Sequence, residues 1–183
     1  MPRSLRPLLP ALALALAVLP TATAHATTMV PRRVEDLARV SESVVRATTV
    51  STHSAWDAQK RIVTTVRLRA LETLAGDIRV GEEFDLQHFG GIVDGTEMTI
   101  IGGPHFTPGQ EVVVFLIRDA IGRREVADLA QGKLEVIRDA AGRERLTHRD
   151  LSGVDWFRGT GPDHVATLDE LRARVAGALH GNR

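Results

Sequence analysis

Between Arg61 and Leu71 the chain alternates, with Ile62, Thr64, Val66, Leu68 and Ala70 on one side and Thr65, Arg67 and Arg69 on the other. A period of two predicts a strand with one dry face and one wet face. Val44 to Thr52 is rich in Val and Thr and predicts the strand before it. The polar stretch 53–60 between them reads as a hairpin loop with Trp56 near its tip. Glu83 to Phe89 predicts a third strand, with Phe84, Leu86 and His88 sharing a face. Asp94-Gly95 predicts a tight turn between Gly91-Ile92-Val93 and the run Met98 to Ile101. Val112 to Ile117 is apolar at every position, and its short length between turn residues predicts a buried central strand. Glu125 to Leu129 and Lys133 to Arg138 follow as short strands, and Arg143 to His148 as an edge.

Helical spacing occurs twice. Val34, Leu37, Ala38 and Val40 suit a short helix within Val34 to Ser43, after a flexible lead-in over Thr27 to Arg33. Thr167-Leu-Asp-Glu170 is a capping box, and Leu168, Leu171, Val175 and Leu179 form an apolar stripe behind it. Short strands without intervening helices predict a mainly β fold, a small antiparallel OB-like barrel of five to seven strands with a C-terminal helix; a β-sandwich is the alternative. The expected divisions are a signal segment over 1–26, a lead-in and helix over 27–43, the barrel over 44–150, and a Gly-rich linker with the helix over 151–183.

The N-terminus changes the picture. Arg3 and Arg6 precede the Ala/Leu-rich run Leu8 to Leu19, and Ala24-His25-Ala26 supplies small residues at a cleavage-like site. The run is short for a membrane span, so it reads as a Sec-type signal cleaved after Ala26, which implies a periplasmic or secreted protein without a stable membrane anchor. The full chain balances 23 basic against 23 acidic side chains. Loss of Arg3 and Arg6 leaves a near-neutral mature protein, which argues against a nucleic-acid partner. There is no cysteine, so thiol catalysis, thiolate metal sites and disulfides are excluded.

The runs Ser43 to Val50, Arg61 to Leu68, Leu71 to Asp77, Phe106 to Val112 and Ala130 to Lys133 together resemble a pattern found in uncharacterised exported bacterial proteins of OB-like fold. The pattern covers about residues 43–138 and consists of hydrophobic positions and turns. It is similar, more distantly, to netrin-like domains and tissue inhibitors of metalloproteinases. The resemblance implies a fold. In those inhibitors an N-terminal Cys chelates the protease zinc; this chain has none, so no inhibitor residue carries over.

The reactive side chains form no recognised constellation. His53, His88, His105, His148, His164 and His180 show no His-x-His, His-x3-His or HExxH spacing. His53 and His88 are weak metal candidates should their strands pair, with Asp57 or Asp85 as an oxygen ligand. Ser51, Ser54 and Ser152 lack a nucleophile elbow. Glu82-Glu83 and Asp169-Glu170 have structural explanations at element starts. Gly90-Gly91 and Gly102-Gly103 lack the context of a phosphate loop. No catalytic residue and no cofactor are assigned. The candidate binding residues are the loop aromatics and their neighbour: Trp56, His105, Phe106, Trp156 and Phe157. For Phe106, Trp156 and Phe157 the alternative is packing as plugs of the barrel. The sequence therefore predicts a non-enzymatic exported protein that binds another exported protein, such as a protease. A small metal-dependent hydrolase is the alternative.

Overall fold

The computed structural model describes residues 27–148, 150–159 and 161–181. The expected signal segment 1–26 lies outside the described residues. In chain order the elements are β1 (Thr27–Met29), α1 (Val34–Val40), β2 (Ser43–Trp56), β3 (Ile62–Ala75), β4 (Glu83–Phe89), β5 (Gly91–Val93) and β6 (Thr96–Met98). They continue with β7 (Glu111–Arg118), β8 (Arg124–Val126), β9 (Lys133–Arg138), β10 (Glu144–Thr147), β11 (Val154–Trp156) and α2 (Leu168–His180).

The fold is mainly β, with one seven-stranded antiparallel sheet and a C-terminal helix. β2, β3 and β4 form a meander, β7 returns along the other side of β2, and β9 and β10 extend the sheet beyond β7. β8 shares the outer edge of β7 with β9, pairing at Leu116–Arg118 where β9 pairs at Val112–Val114. The hydrogen-bonded path ends at β4 and β10, so the sheet is not closed. β8 nonetheless packs beside β4, and Arg123, one residue before β8, donates to Gln87 Oε1 at 3.2 Å.

Alternation along β7 explains why all its central positions are apolar. Val112, Val114 and Leu116 join Val66, Leu68 and Leu86 in the inner core. Val113 and Phe115 face the other way, beneath α1 and α2. Residues 112–116 are all fully buried.

Several elements differ from the sequence expectation. The lead-in begins with β1, paired in parallel with β11 from Thr27↔Val154 to Met29↔Trp156. Three-residue strands are too brief to show alternation. β2 runs on through the expected loop to Trp56, because Asp57 accepts from the N–H groups of Gln59 and Arg61 and makes the hairpin a tight one. Asp94 and Gly95 both have positive φ, as a two-residue hairpin turn requires, but β6 ends at Met98, before the expected Ile101. β8 stops at Val126, since Asp128 and Leu129 enter the left-handed region and start a 3-10 turn.

Both helices lie where the spacing puts them. α1 ends at Val40, with the Ser41 hydroxyl donating to Leu37 O. Thr167 caps α2 by accepting from Glu170 N at 3.2 Å, and Glu170 reaches back to Ala166 N. Its buried stripe is Leu168, Leu171, Val175 and Ala178, while Leu179 is exposed. Between the sheet and α2, residues 161–166 of the expected linker form a strap. Asp163 accepts from Val34 N at 2.8 Å, and Ala166 O accepts from Leu146 N at 3.0 Å, covering the β10 edge.

Candidate functional site

The inner face of the sheet changes chemistry along its length. Toward β7 it is aliphatic, and toward the β2–β3 hairpin it carries hydroxyls and an imidazole. Ser54, Thr64 and His88 are successive cross-strand neighbours on β2, β3 and β4, sharing the face that carries Val66 and Leu86. The Ser54 and Thr64 hydroxyls are 2.8 Å apart, and Thr64 donates to Gly90 O at 2.5 Å. Gly91 has φ of 133°, and a Cβ there would collide with both hydroxyls. That close approach lets the chain cross over the hairpin into β5.

Residues 99–106 form the opposite wall. Gly103 N donates to Ile100 O, and Gly102 O accepts from Ala130 N, so the loop turns back toward the sheet. Between the walls lies an open cleft of about 160 Å³ whose lining includes Ser54, Thr64, His88, Ile100, Pro104 and Phe106. A smaller, more apolar recess of about 100 Å³ continues from His88 toward Val126 and Leu129. Phe89, Ile92 and Ile101 are exposed nearby.

Beneath the loop lies a buried ion cluster. Lys133 opposes Val114 and therefore points inward; its side chain is 1% exposed. Its ammonium lies 2.8 Å from Asp150 Oδ2 and 3.3 Å from Glu135 Oε1. It also sits 5.0 Å from the centroid of the Phe106 ring, whose centroid is 6.0 Å from the His88 imidazole. Phe106 is thus held between a cation and an imidazole, and it packs on the inner core. Asp150 also accepts from His105 N at 3.0 Å, tying the loop to the cluster. Burial pushes the His88 imidazole below the ordinary histidine value, against the opposing bond to Phe89 O, and the nearby Lys133 ammonium acts in the same direction as burial. His148, whose Nδ1 lies 3.1 Å from Lys133 O, is also lowered by burial.

The five sequence-derived binding residues separate. His105 and Phe106 belong to the cleft, His105 exposed at its rim and Phe106 as its inner plug. Trp56 is the last residue of β2 rather than a loop residue, and it is half exposed at the hairpin end. Trp156 lies in β11, packed against Met29, Ala130, Leu151 and Val154. Phe157 follows it, exposed, with the Arg158 guanidinium 5.2 Å from its ring centroid.

The weak metal pair does not assemble. His53 opposes Thr65, whereas His88 opposes Thr64, so the two imidazoles lie on opposite faces of the sheet. Asp57 is bound within its own hairpin, and Asp85 pairs with Arg67 on the outer face. Among the described residues no three His, Asp or Glu side chains are grouped to hold a metal ion.

Lys133, Asp150 and Ile100 were not singled out by sequence, and Thr64 was read only as one position on a face of an alternating strand. The one available signal was Lys133-Leu-Glu135, two charges two apart and thus on one face of a strand. Nothing local revealed that this face is the inner one. No family model, no curated protein and no solved structure matches the chain.

Proposed function

We propose that this is a non-enzymatic exported protein whose inner cleft receives a side chain of another exported protein. The observation that supports this reading is the size and chemistry of the cleft. At about 160 Å³ it is smaller than the roughly 300–1,000 Å³ typical of small-molecule sites. It is close to the space of on the order of 150 Å³ that accepts a benzene-sized group. Apolar atoms from Ile100, Pro104 and Phe106 would bury such a group, and the Ser54 and Thr64 hydroxyls and His88 would orient its backbone. The exposed Phe89, Ile92 and Ile101 would form the surrounding contact.

In this proposal the segment 1–26 is a signal removed after Ala26, and the mature protein acts in the periplasm or outside the cell. An accessory role beside a secreted protease rests on the likeness to inhibitor-type barrels alone. A photo-activatable crosslinker at Ile100, expressed in the native host, tests the reading. A discrete adduct with one exported protein is expected, absent when the same group replaces Ile121 on the β7–β8 turn. No adduct at Ile100, or equal labelling at both positions, defeats it. Intact mass of the exported form, beginning at Thr27, checks the processing.

A further inference from the structure

The hairpin made by β2 and β3 outruns the rest of the sheet. β7 covers β2 only over Ser43–Thr48, and the turn at residues 107–110 bonds Thr49 on the same edge. Beyond that point β2 pairs with β3 alone, up to Trp56↔Ile62. Asp57 N donates to Arg61 O, which fixes the alternation of hydrogen bonding. Ser51, His53 and Ala55 therefore aim their N–H and C=O groups at β3, while Thr52, Ser54 and Trp56 aim theirs away from it. Gly90 N donating to Ile62 O on the far side of β3 agrees with this parity. Among the described residues nothing bonds to the outward groups.

Two other sheet edges are flanked. The strap covers β10 and β8 flanks β4. The β2 edge carries neither charge nor proline: residues 50–56 contain no Lys, Arg, Asp, Glu or Pro, and all except the half-buried Ser54 are exposed, while the ladder is irregular between Thr49 and Ser51 and β5 crosses beside Ser54 on the inner face. Beyond that irregularity, an uncharged edge with unbonded main-chain groups is a template for another strand.

We infer that the free edge of β2 pairs antiparallel with the same edge of a second copy of this chain, about a two-fold axis at Ser54. The register follows from geometry. Centred on Ser54, each outward residue meets an outward residue: Ser54 its own copy, and Thr52 the Trp56 of the second copy. That forms about six main-chain hydrogen bonds and leaves no outward group of residues 52–56 unpaired. Trp56 opposite Thr52 is an aromatic–β-branched pair of the type that stabilises sheets, and no like charges are opposed. Centring on His53 would drive Asp57 into the turn at 107–110 that already occupies the Thr49 edge. The second copy supplies the complementary strip by symmetry, and the uncharged edge demands no oppositely charged partner. The strip is short, so the dimer is concentration-dependent, with a dissociation constant on the order of micromolar. This pairing does not depend on the cleft's binding role.

The chain has no cysteine, which makes disulfide trapping a clean test. The proposed register puts His53 directly opposite Ala55 of the second copy, in a non-hydrogen-bonded pair with Cα atoms about 4.5 Å apart, within disulfide reach. His53→Cys/Ala55→Cys is expected to form a covalent dimer on mild oxidation, and each single variant far less. By sedimentation equilibrium the mature wild-type chain is expected to dimerise. Thr52→Pro, which removes an outward N–H, is expected to weaken dimerisation about tenfold or more while circular dichroism remains native. A wild-type chain monomeric at every concentration overturns the inference, even if a foreign strand is later found on this edge. So does equal trapping of the single and double variants. If Thr52→Pro fails to fold, trapping alone decides.

Discussion

Lys133 is the residue on which the cleft depends most. A long cation with 1% of its side chain exposed is tolerated because Asp150 and Glu135 bring carboxylates to within 3.3 Å. Lys133→Ala would leave both acids in a poorly hydrated site without their common cation, and it is expected to destabilise the fold by about 3–5 kcal/mol in urea melts. Lys133→Ala combined with Asp150→Asn should lose less than the sum of the two single changes, because the two groups act as a unit. Additive losses would contradict the pairing. The Phe106 loop is expected to loosen with it, since both His105 N and the Phe106 ring rest on this cluster. The identity of Lys133 is plain in the sequence, but its burial is not. A charged residue two positions from Glu135 reads as a wet face until Val114 is known to lie opposite.

At the scale of elements, α2 is clamped by two arginines of different reach. Arg172 binds Glu72 through two bonds of 2.7 Å and so ties the helix to β3. Arg174 bonds both Glu35 of α1 and Asp163 of the strap. The Arg174 guanidinium holds the Glu35 carboxyl down at about 2, from an ordinary value of 4.5. A depressed carboxylate contributes stability above its unfolded value and loses it as pH falls through its folded value. The contribution of Glu35 is therefore full above about pH 4.5 and disappears toward pH 2. Arg174→Met is expected to lower stability by about 1–3 kcal/mol at neutral pH and to flatten the acid limb between these limits. Thermal melts across pH 2–7 measure both. An unchanged acid limb would assign no role to this pair. The helix itself was legible, because a capping box and a 3.6-residue stripe are local signals. Its partners were not, since Arg174 and Glu35 are far apart in sequence.

For the whole molecule, the sheet has two dry faces, and each needs its own cover. The inner face is covered in part by Val126 of β8 and by Phe106, while the outer face at Val113 and Phe115 depends on α1 and α2. Removal of residues 161–183 would bare that outer face and also free the β10 edge at Leu146 N. The truncated chain is expected to bind a hydrophobic dye and to lose cooperative unfolding. A folded, cooperative monomer without α2 would show that the inner core suffices.

What the sequence determined by itself was local: which stretches alternate, where Asp94-Gly95 must turn, where Thr167 caps a helix, and that Val112 to Ile117 lies at the centre. These follow from side-chain period and backbone preference within a few residues. Tertiary structure decided everything that needs two distant segments to meet. It ended the sheet's pairing at β4 and β10, set His53 and His88 on opposite faces, and joined the lead-in to β11. It also turned Lys133 inward and left the end of β2 without a neighbour. Such outcomes depend on strand order and register, and a shift of one residue reverses the face of every side chain.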